Sequence, residues 1–592
     1  MNIGLLKRNQ GKRFAGVAII ALAASACISS PSSAQSTSVP ASRYGGNITV
    51  GIFDTIPGFC VGNNPANSAL MATRTIYETL FEKTKGGDMA GVLARSATPS
   101  ADRKTWTVTL REGVTFHDGS AFDAAAVVAN FNAITGRTAL GAYVASGPAG
   151  LASKAYTIGT GTAFTANIKS FSVKSEFVVE FILDRPQYDF KSTLYASGRF
   201  FMRSPAQLTD SNTCAINPIG TGPFKISTWT ADQLIVVRNT DYWRHDPKTN
   251  ARLPYLDKIT FTNVKEASQR SSAVRRGTLD AAFFSAATDS TFIKDLRARR
   301  SVVKEFRSPK EYYTSLWLNQ GKPRSPFEHL SARKAVLSCL DRSNFIKVRT
   351  RGQGTAATSL VGPTSLMYNT KNFPKYNPAA ARQFVKDYIV ETGEPSLTFT
   401  FPADTSTASQ ANARFFKATW AKCNITANYV VEETANIIAK AFNASAKLTQ
   451  GEYYNAYDAI FITLLEGQDV AYNVPFLVTN AYSNTSSNPV RALFKTSLGP
   501  VLGLNHHNDT AIDQYFYNGQ AAANANAAKS QLRAGTAYLQ KNAIMGSVYY
   551  FYYSLFTTKK MAGIGTLTLP NGKTQRGVTN WGIDWTGVYK TR

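Results

Sequence analysis

Histidine is scarce in this chain of 592 residues, with five in all: His117, His245, His329, His506 and His507. None has the His-Glu-x-x-His spacing of a zinc helix, and the sequence has neither a Gly-x-Ser-x-Gly elbow nor a Cys-x-x-Cys pair. The adjacent His506 and His507 point apart on regular structure, so chelation would need a special loop. Paired carboxylates exist, but none is distinguished by its context. The sequence therefore predicts no enzyme, no metal site and no cofactor.

Acidic residues are few beside basic ones: 38 Asp and Glu against 65 Lys and Arg. Four of the basic residues lie before residue 34, where there is no acid, so the remainder has 61 basic and 38 acidic residues and a net charge of +23. The basic residues are scattered, and the clusters at 297–300 and 349–351 are short. Because no nucleic-acid motif accompanies them, we expect no nucleic-acid partner. Attraction to an anionic membrane surface or to an anionic solute explains the charge at least as well.

Long apolar runs are also missing, since nothing after residue 34 reaches the ~20 apolar residues of a membrane-spanning helix. Met1–Arg13 is basic, Phe14–Ala26 is a short apolar run, and small residues follow. This pattern predicts a signal peptide over residues 1–34, cleaved after Ala34, and hence an exported protein. The alternative is processing at Ala24-Ser25-Ala26-Cys27, a sequence similar to a lipoprotein box, with Cys27 lipidated.

There are five cysteines, and removal or lipidation of Cys27 leaves an even number: Cys60, Cys214, Cys339 and Cys423. In an exported protein these four can form disulfides, and three pairings are possible. Unpaired buried thiols are the alternative. A reactive catalytic thiol is not expected, because no cysteine has an identifiable histidine partner.

A chain of this length needs more than one core. Its most informative stretch begins at Asp102, where Thr105–Leu110 alternates as a half-buried strand does. Val114–Phe116 is predicted as a short second strand, and Asp118-Gly119 as a turn. Asp123 is placed to cap the following helix. We expect a packed or hydrogen-bonded role for His117.

The residues of this stretch, Leu110-Arg111-Glu112-Gly113-Val114-Thr115-Phe116-His117-Asp118-Gly119, resemble the signature of the family 5 extracellular solute-binding proteins. These are the peptide-, nickel- or opine-binding components of ABC importers. Further segments resemble the same family in the same order: 74–82, Asn217-Pro218-Ile219-Gly220-Thr221-Gly222-Pro223-Phe224, Leu253-Pro254-Tyr255-Leu256-Asp257, 326–342 and 376–382.

Other segments give local expectations. Gly46–Phe53 and Tyr457–Thr463 are predicted strands, and Ala69–Lys83 is a predicted helix. The densely aromatic 548–556 is a predicted strand, buried on both faces in the hinge, with some of its rings facing a cleft.

The resemblance implies an α/β fold of the two-lobed periplasmic-binding-protein type, class C, with an extra subdomain in lobe I. The expected boundaries are 44–305 for the first part of lobe I, with the subdomain near 75–197, then 306–554 for lobe II and 555–592 for the return to lobe I. Among the disulfide pairings, Cys60–Cys214 with Cys339–Cys423 keeps each bridge inside one lobe. The turn at His117 would be structural and away from the cleft.

The implied function is capture of a solute in the cleft between the lobes, and a peptide is the first candidate for this solute. The partners would be an ABC permease and ATPase at the inner membrane, and the protein a periplasmic monomer without a cofactor. An opine, sugar-linked solute, metal chelate or haem is the alternative ligand, and an exported enzyme or a basic surface-adhesion protein is the alternative class.

From the family's geometry the candidate ligand-binding residues are Asp54 and Phe59 after the first strand, Asn319 at the start of lobe II, and Glu466 and Asp469 in an acidic loop. That loop differs from the usual sequence of the family, because Leu464-Leu465-Glu466-Gly467-Gln468-Asp469-Val470 lacks the usual tryptophan and proline. Glu466 or Asp469 could still pair a ligand ammonium.

Overall fold

The computed structural model describes residues 43–61, 67–135, 164–209, 213–322, 324–442, 457–464, 466–479, 503–507 and 509–592. The predicted signal peptide and Cys27 lie outside these residues. In the described ranges, no helix combines the length and the apolar character needed to cross a bilayer.

The strands, in chain order, are β1 (Asn47–Ile52), β2 (Phe81–Lys83), β3 (Met89–Gly91), β4 (Ala94–Pro99), β5 (Thr105–Leu110), β6 (Ile168–Ser175), β7 (Val178–Leu183), β8 (Phe224–Trp229), β9 (Gln233–Arg238), β10 (Lys258–Asn263), β11 (Ala281–Ser285), β12 (Val303–Arg307), β13 (Tyr312–Leu318), β14 (Thr355–Ala356), β15 (Leu397–Asp404), β16 (Ile425–Glu432), β17 (Ala459–Leu464), β18 (Met545–Phe551), β19 (Tyr553–Thr558), β20 (Met561–Ala562) and β21 (Tyr589–Lys590).

The helices are α1 (Asn67–Thr73), α2 (Ala124–Ile134), α3 (Phe190–Tyr195), α4 (Pro205–Thr209), α5 (Ala267–Arg276), α6 (Ser290–Arg297), α7 (Leu330–Ser338), α8 (Arg342–Val348), α9 (Pro378–Thr392), α10 (Thr407–Ala421), α11 (Thr434–Phe442), α12 (Val470–Leu477), α13 (Thr510–Gln520) and α14 (Ala525–Lys541), with short 3₁₀ turns at Ala196–Gly198 and Pro326–Glu328.

Seven strands form the largest sheet, here the central sheet, in the order β12-β19-β11-β1-β10-β9-β8. The predicted first strand, β1, lies inside it and pairs in parallel with β10 and β11. Its Ile48, Val50 and Ile52, which share one face of the strand, are buried, so this face of the sheet packs on the core. The other neighbours pair antiparallel, which makes the sheet mixed.

A four-stranded antiparallel sheet, the side sheet, has the order β4-β5-β7-β6 and packs against α2. The predicted strand Thr105–Leu110 is confirmed, and Trp106, Val108 and Leu110 are its buried positions. The prediction for Asp123 is also confirmed, since its Oδ1 accepts a hydrogen bond from Ala126 N at 2.8 Å. The predicted strand at 114–116 was wrong, because this segment makes one isolated bridge, Thr115 to Ala121.

His117 is hydrogen-bonded, as expected. Its Nε2 lies 3.0 Å from the Gly222 carbonyl oxygen, and its backbone N donates to the Gly220 carbonyl oxygen. Burial lowers the pKa of His117 to about 4, so the ring is neutral at physiological pH. Ser204 Oγ donates to Asp118 Oδ2 at 2.7 Å. The signature therefore joins the side sheet to the 220–222 turn.

The predicted helix Ala69–Lys83 was wrong beyond Thr73. Helix α1 ends at Thr73, and Phe81–Lys83 is strand β2. The backbone beyond α1 bonds outside the helix: Gly222 N donates to the Ile76 carbonyl and Phe224 N to the Thr75 carbonyl. A Cβ at Gly222 would clash with the Ile76 backbone, so glycine there permits this close approach.

A second four-stranded sheet, the far sheet, has the order β14-β18-β13-β17 and is antiparallel throughout. The parallel pair β15-β16 packs nearby with α10. The predicted aromatic strand is two strands that meet at Tyr552: β18 in the far sheet and β19 in the central sheet. Every residue of β18 is buried, as expected for a strand covered on both faces.

The disulfides pair as predicted. Cys60 bonds to Cys214, and Cys339 bonds to Cys423. The first bridge fastens the loop after β1 to the segment after α4, and the second ties the end of α7 to the end of α10. Each closes a long segment, of 154 and 84 residues of separation, so each restricts the unfolded chain strongly.

Candidate ligand-binding cleft

Two neighbouring crossings connect the central sheet to the far sheet. The chain leaves β12 and enters β13 through residues 308–311, and it returns from β18 to β19 through Tyr552. The crossings are bonded to each other, since Ser308 N donates to the Tyr553 carbonyl at 3.0 Å and Tyr553 N donates to Ser308 Oγ at 2.9 Å. A pair of strands of this kind can act as a hinge, because a few residues carry the whole connection.

The acidic loop that follows β17 contacts strand β2 through a buried cluster of charges. Lys83 Nζ lies 2.5 Å from Glu466 Oε2 and 3.0 Å from Asp469 Oδ2. The three side chains are 4%, 3% and 2% exposed, respectively. Ser197 Oγ donates to the other oxygen of Glu466 at 3.1 Å. The loop predicted to pair a ligand ammonium therefore holds an ammonium of the chain itself.

Asp469 has a second role. Its Oδ1 accepts a hydrogen bond from Tyr472 N at 3.2 Å, so it caps helix α12. Asn473, one turn into that helix, donates from Nδ2 to the backbone carbonyls of Glu466 and Asp469. The loop is held in place by these local bonds, independently of Lys83.

The electrostatic balance keeps the cluster charged. Burial alone would raise the pKa of Glu466, but the nearby Lys83 and Arg576 cations outweigh it and hold that pKa below its usual range. Burial would lower the pKa of Lys83, but the Asp469 and Glu466 carboxylates raise it. Ions this far from water persist only when paired, so each partner depends on the others.

A second buried ion pair lies beside the first. Arg576, from the C-terminal segment, binds the Glu311 carboxylate in the first crossing. Arg576 N also donates to the Lys83 carbonyl at 2.9 Å, which makes the two ion pairs neighbours. Burial raises the pKa of Glu311, although the Arg576 charge opposes the shift. Arg576 Nη1 and Glu311 Oε2 have no hydrogen-bond partner among the described residues.

Gly467 lets the loop approach the crossing. A Cβ at this position would collide with the Glu311 carbonyl oxygen. The acidic loop therefore has a steric requirement at Gly467: only a residue without a Cβ fits against the first crossing.

The two ion pairs, Lys83 with Glu466 and Asp469 and Arg576 with Glu311, form a layer of buried charges between the central and far sheets. Further charged and aromatic groups extend this layer. Arg74 binds Glu82, and its guanidinium lies 4.2 Å from the centre of the Trp581 ring. Arg199 Nη1 donates to Ser197 Oγ at 2.8 Å. The layer thus offers both signs of charge and aromatic faces, which are the groups that bind a small zwitterion.

Two predicted ligand residues lie in the loop after β1. Asp54 Oδ2 accepts hydrogen bonds from Ser68 N at 2.8 Å and Ser68 Oγ at 2.7 Å, at the start of α1. Burial raises the pKa of Asp54 to about 6. Phe59 is 0% exposed in the core, with its ring centre 5.3 Å from that of Trp229. Phe59 presents no surface to a cleft in this structure.

Asn319, the third predicted position, forms a turn after β13. Its Nδ2 donates to the Tyr457 carbonyl at 3.0 Å, and its Oδ1 accepts from the backbone N of Gly321 and of Lys322. Its side chain is satisfied within the far sheet and its turn.

The structure thus unites Glu466 and Asp469 and places Asp54, Phe59 and Asn319 elsewhere. Sequence reasoning missed Lys83, Glu311 and Arg576. Lys83 was assigned to a helix, and nothing in the sequence links these three residues, which become neighbours through tertiary structure alone. No group of three or more potential metal ligands occurs in the described part of the chain.

Comparison with known proteins gives a consistent result. The model of the bacterial extracellular solute-binding proteins, family 5, matches residues 88–487. Glutathione-binding protein GsiB of Salmonella paratyphi A is 30% identical over 319 residues, and GsiB of Escherichia coli K12 is 30% identical over 322 residues. Each match covers 53% of this chain and 56% of the relative. The chain thus spans about half the length of the curated relatives it matches.

Solved structures agree on the fold. The DppA periplasmic binding protein of Helicobacter pylori, in complex with the peptide STSA, has a TM-score of 0.74 at 19% identity, covering 93% of this chain and 99% of its own. AgaA from A. tumefaciens R10, in complex with agropinic acid, has a TM-score of 0.73 at 17% identity, covering 92% and 99%. The Pseudoalteromonas dipeptide-binding protein, in complex with Met-Leu, has a TM-score of 0.70 at 17% identity, covering 88% and 97%. The chain belongs to the family 5 extracellular solute-binding proteins and has their two-lobed α/β fold.

Proposed function

We propose that this protein is the substrate-binding component of an ABC import system. It captures a solute between its lobes in the periplasm and delivers it, as a monomer, to a permease and ATPase at the inner membrane. The observation that carries this proposal is the buried contact of Lys83 with Glu466 and Asp469, which brings β2 against a loop of the far sheet. A ligand that contacts both sides would shift the hinge equilibrium towards closure.

The lobe boundaries are proposed as 44–305 with 555–592 for lobe I and 306–554 for lobe II, the subdomain lying near 75–197. In support, strands β1 and β8–β12 share the central sheet with β19, whereas β13, β17 and β18 share the far sheet. The side sheet, β4 to β7, falls within the proposed subdomain.

A peptide is the proposed ligand. The layer between the sheets has the carboxylates of Glu466 and Asp469, which a ligand ammonium would share with Lys83, and the guanidinium of Arg576, which a ligand carboxylate would share with Glu311. The unpartnered Arg576 Nη1 and Glu311 Oε2 are buried polar atoms that a ligand could satisfy. The glutathione-binding relatives and the neighbours in complex with peptides support this class.

A solute without a free ammonium is the second candidate, because Lys83 already occupies the acidic loop. The neighbour in complex with agropinic acid supports this candidate. In both cases the protein binds its ligand without converting it, as expected of a transport component.

Mass spectrometry of compounds carried through purification would identify the ligand class. Peptide pools and opines would then be added separately while the unfolding temperature is followed. We expect a peptide to raise the Tm and to be recovered unchanged, since a ligand that binds only the native state stabilises it. Chemical conversion of the ligand would overturn the transport proposal. So would a Tm that responds to no small solute, if no compound is found bound to the purified protein.

A paired substitution tests the site itself. Glu466→Gln combined with Asp469→Asn should abolish the peptide-induced rise in Tm. Glu394→Gln, at an exposed position, is the matched control and should retain it. Peptide binding that survives the double substitution would place the ligand elsewhere.

A further inference from the structure

A cavity of about 350 Å³ opens on the surface, away from the buried charge layer. It is formed where the end of β5, the turn at 242–247 and the C-terminal segment meet. Its lining residues are Arg111, Glu112, Gly113, Trp243, Arg244, His245, Pro247, Thr568 and Pro570. None of these takes part in the ion pairs between the central and far sheets, so the cavity is a separate feature.

Arg111 is held rigidly on one wall. Its backbone N donates to the Leu93 carbonyl at 2.8 Å, and its Nε donates to the Val92 carbonyl at 3.0 Å. The guanidinium lies 4.9 Å from the centre of the Trp243 ring. Trp243 is fixed in turn, because its Nε1 donates to Glu78 Oε2 at 2.9 Å. The wall is therefore preorganised.

Arg244 supplies a second guanidinium. It is 4% exposed, and one of its terminal nitrogens donates to the Thr568 carbonyl at 2.7 Å. Within the described ranges, the ion pairs at 4 Å or less include neither Arg244 nor Arg111, although the buried Glu78 carboxylate acts electrostatically on both. Two guanidiniums thus share one cavity without a direct counter-ion.

Burial and the positive charges of Arg95 and Arg244 lower the pKa of Arg111, and the negative charge of Glu78 opposes this shift. The charged form of Arg111 is therefore destabilised in the cavity. The one acid in the lining, Glu112, is 65% exposed and lies 3.5 Å from Arg95. It therefore engages a neighbour outside the cavity. The buried Glu78, which already accepts hydrogen bonds from Thr221, Tyr242 and Trp243, offsets the repulsion between the two guanidiniums only in part. A bound anion would remove the repulsion.

We propose that this cavity binds a phosphoryl anion carrying a small organic group, a phosphate monoester. Guanidinium forks match phosphate oxygens in geometry and charge. The volume exceeds that of phosphate alone, and the Trp243 ring with Pro247 and Pro570 offers apolar contact for the organic part. The formal net charge of +27 attracts anions to the surface. The phosphoryl group can come from a soluble metabolite or from a lipid headgroup.

The test is calorimetric titration of the full protein with inorganic phosphate and with glycerol 3-phosphate. Flotation with phosphatidylcholine vesicles, with and without phosphatidic acid, whose headgroup is a phosphate monoester, forms the lipid arm. We expect glycerol 3-phosphate to bind more tightly than inorganic phosphate. Arg111→Gln should weaken the binding at least about tenfold, the usual effect of losing a charge-assisted hydrogen bond.

Arg275→Gln is the matched control, because it removes the same charge from an exposed position outside the cavity lining, and it should change binding less than about twofold. Glu112→Gln, an exposed change that leaves the Arg111 bonds intact, should strengthen binding and keeps the test valid if Arg111→Gln fails to fold. Binding confined to anionic vesicles and lost with Arg111 would assign the lipid source. No binding in any arm, or equal losses in the Arg111 and Arg275 variants, would overturn the proposal.

Discussion

Lys83 Nζ lies 2.5 Å from Glu466 Oε2, although 383 residues separate the two along the chain. The contact is buried, and Asp469 completes it from the same loop. It ties the segment just after the first helix to a loop that follows the far sheet, so one lysine connects parts of the chain that the two crossings alone would leave free to move. Ligand capture and closure are expected to depend on it.

Replacing this lysine should be costly. Lys83→Met would leave two buried carboxylates without their cation, and breaking such a pair destabilises by about 3–5 kcal/mol. Urea unfolding at neutral pH would measure the loss. Lys85→Met is the matched control, since Lys85 is exposed and its backbone N still donates to the Thr574 carbonyl after the change. Equal stability of the two variants would contradict the role given to the ion pair.

Gly467→Ala should impair closure rather than folding of the separate lobes. The added methyl would meet the Glu311 carbonyl oxygen, so the acidic loop would have to withdraw from the first crossing. We expect weaker ligand binding and a larger radius of gyration by X-ray scattering with ligand present. Gly86→Ala is the control, because the atoms nearest to its Cβ would lie 3.7 Å away, an ordinary contact. Matching behaviour of the two alanine variants would disprove the steric argument.

Asp54 predicts a pH dependence of defined sign. Its pKa is raised to about 6 by burial, above the ordinary 3.8, so between these values the unfolded chain ionises first and stability falls as pH rises. The full effect is about 3 kcal/mol, present below pH 4 and lost above pH 6. Asp54→Asn should remove this component, which is measured by comparing unfolding at pH 4 and 7.5. Asp232→Asn, at an exposed carboxylate, should leave the wild-type pH profile intact.

The disulfides should contribute separately to stability. Replacing Cys339 and Cys423 together by alanine removes a link across 84 residues, and we expect a loss of about 3–5 kcal/mol in the free energy of unfolding. Peptide mapping without reduction should recover Cys60 joined to Cys214. A peptide joining Cys60 to Cys339 would refute the pairing and the lobe boundaries with it.

Local elements were predictable where local chemistry decides them. Asp123 caps its helix by accepting a hydrogen bond from the backbone N of Ala126, three residues further along the chain. Buried and more exposed residues alternate along Thr105–Leu110 because one face of β5 packs on a core. The helix predicted over 69–83 failed after Thr73, because the carbonyls of Thr75 and Ile76 bond to the 222–224 segment instead of to the next helical turn. Sequence periodicity carries no information about such distant partners.

The sequence by itself determined the family, the cysteine pairing that the lobes favour, and the acidic character of the loop at 466–469. Only the tertiary structure decided which charges meet: Lys83 with that loop, and Arg576 with Glu311. The reason is physical. A motif is a local pattern of turns and faces. A buried ion pair instead joins residues hundreds of positions apart, and because removing each ion from water costs free energy, it persists only where the fold places both partners together.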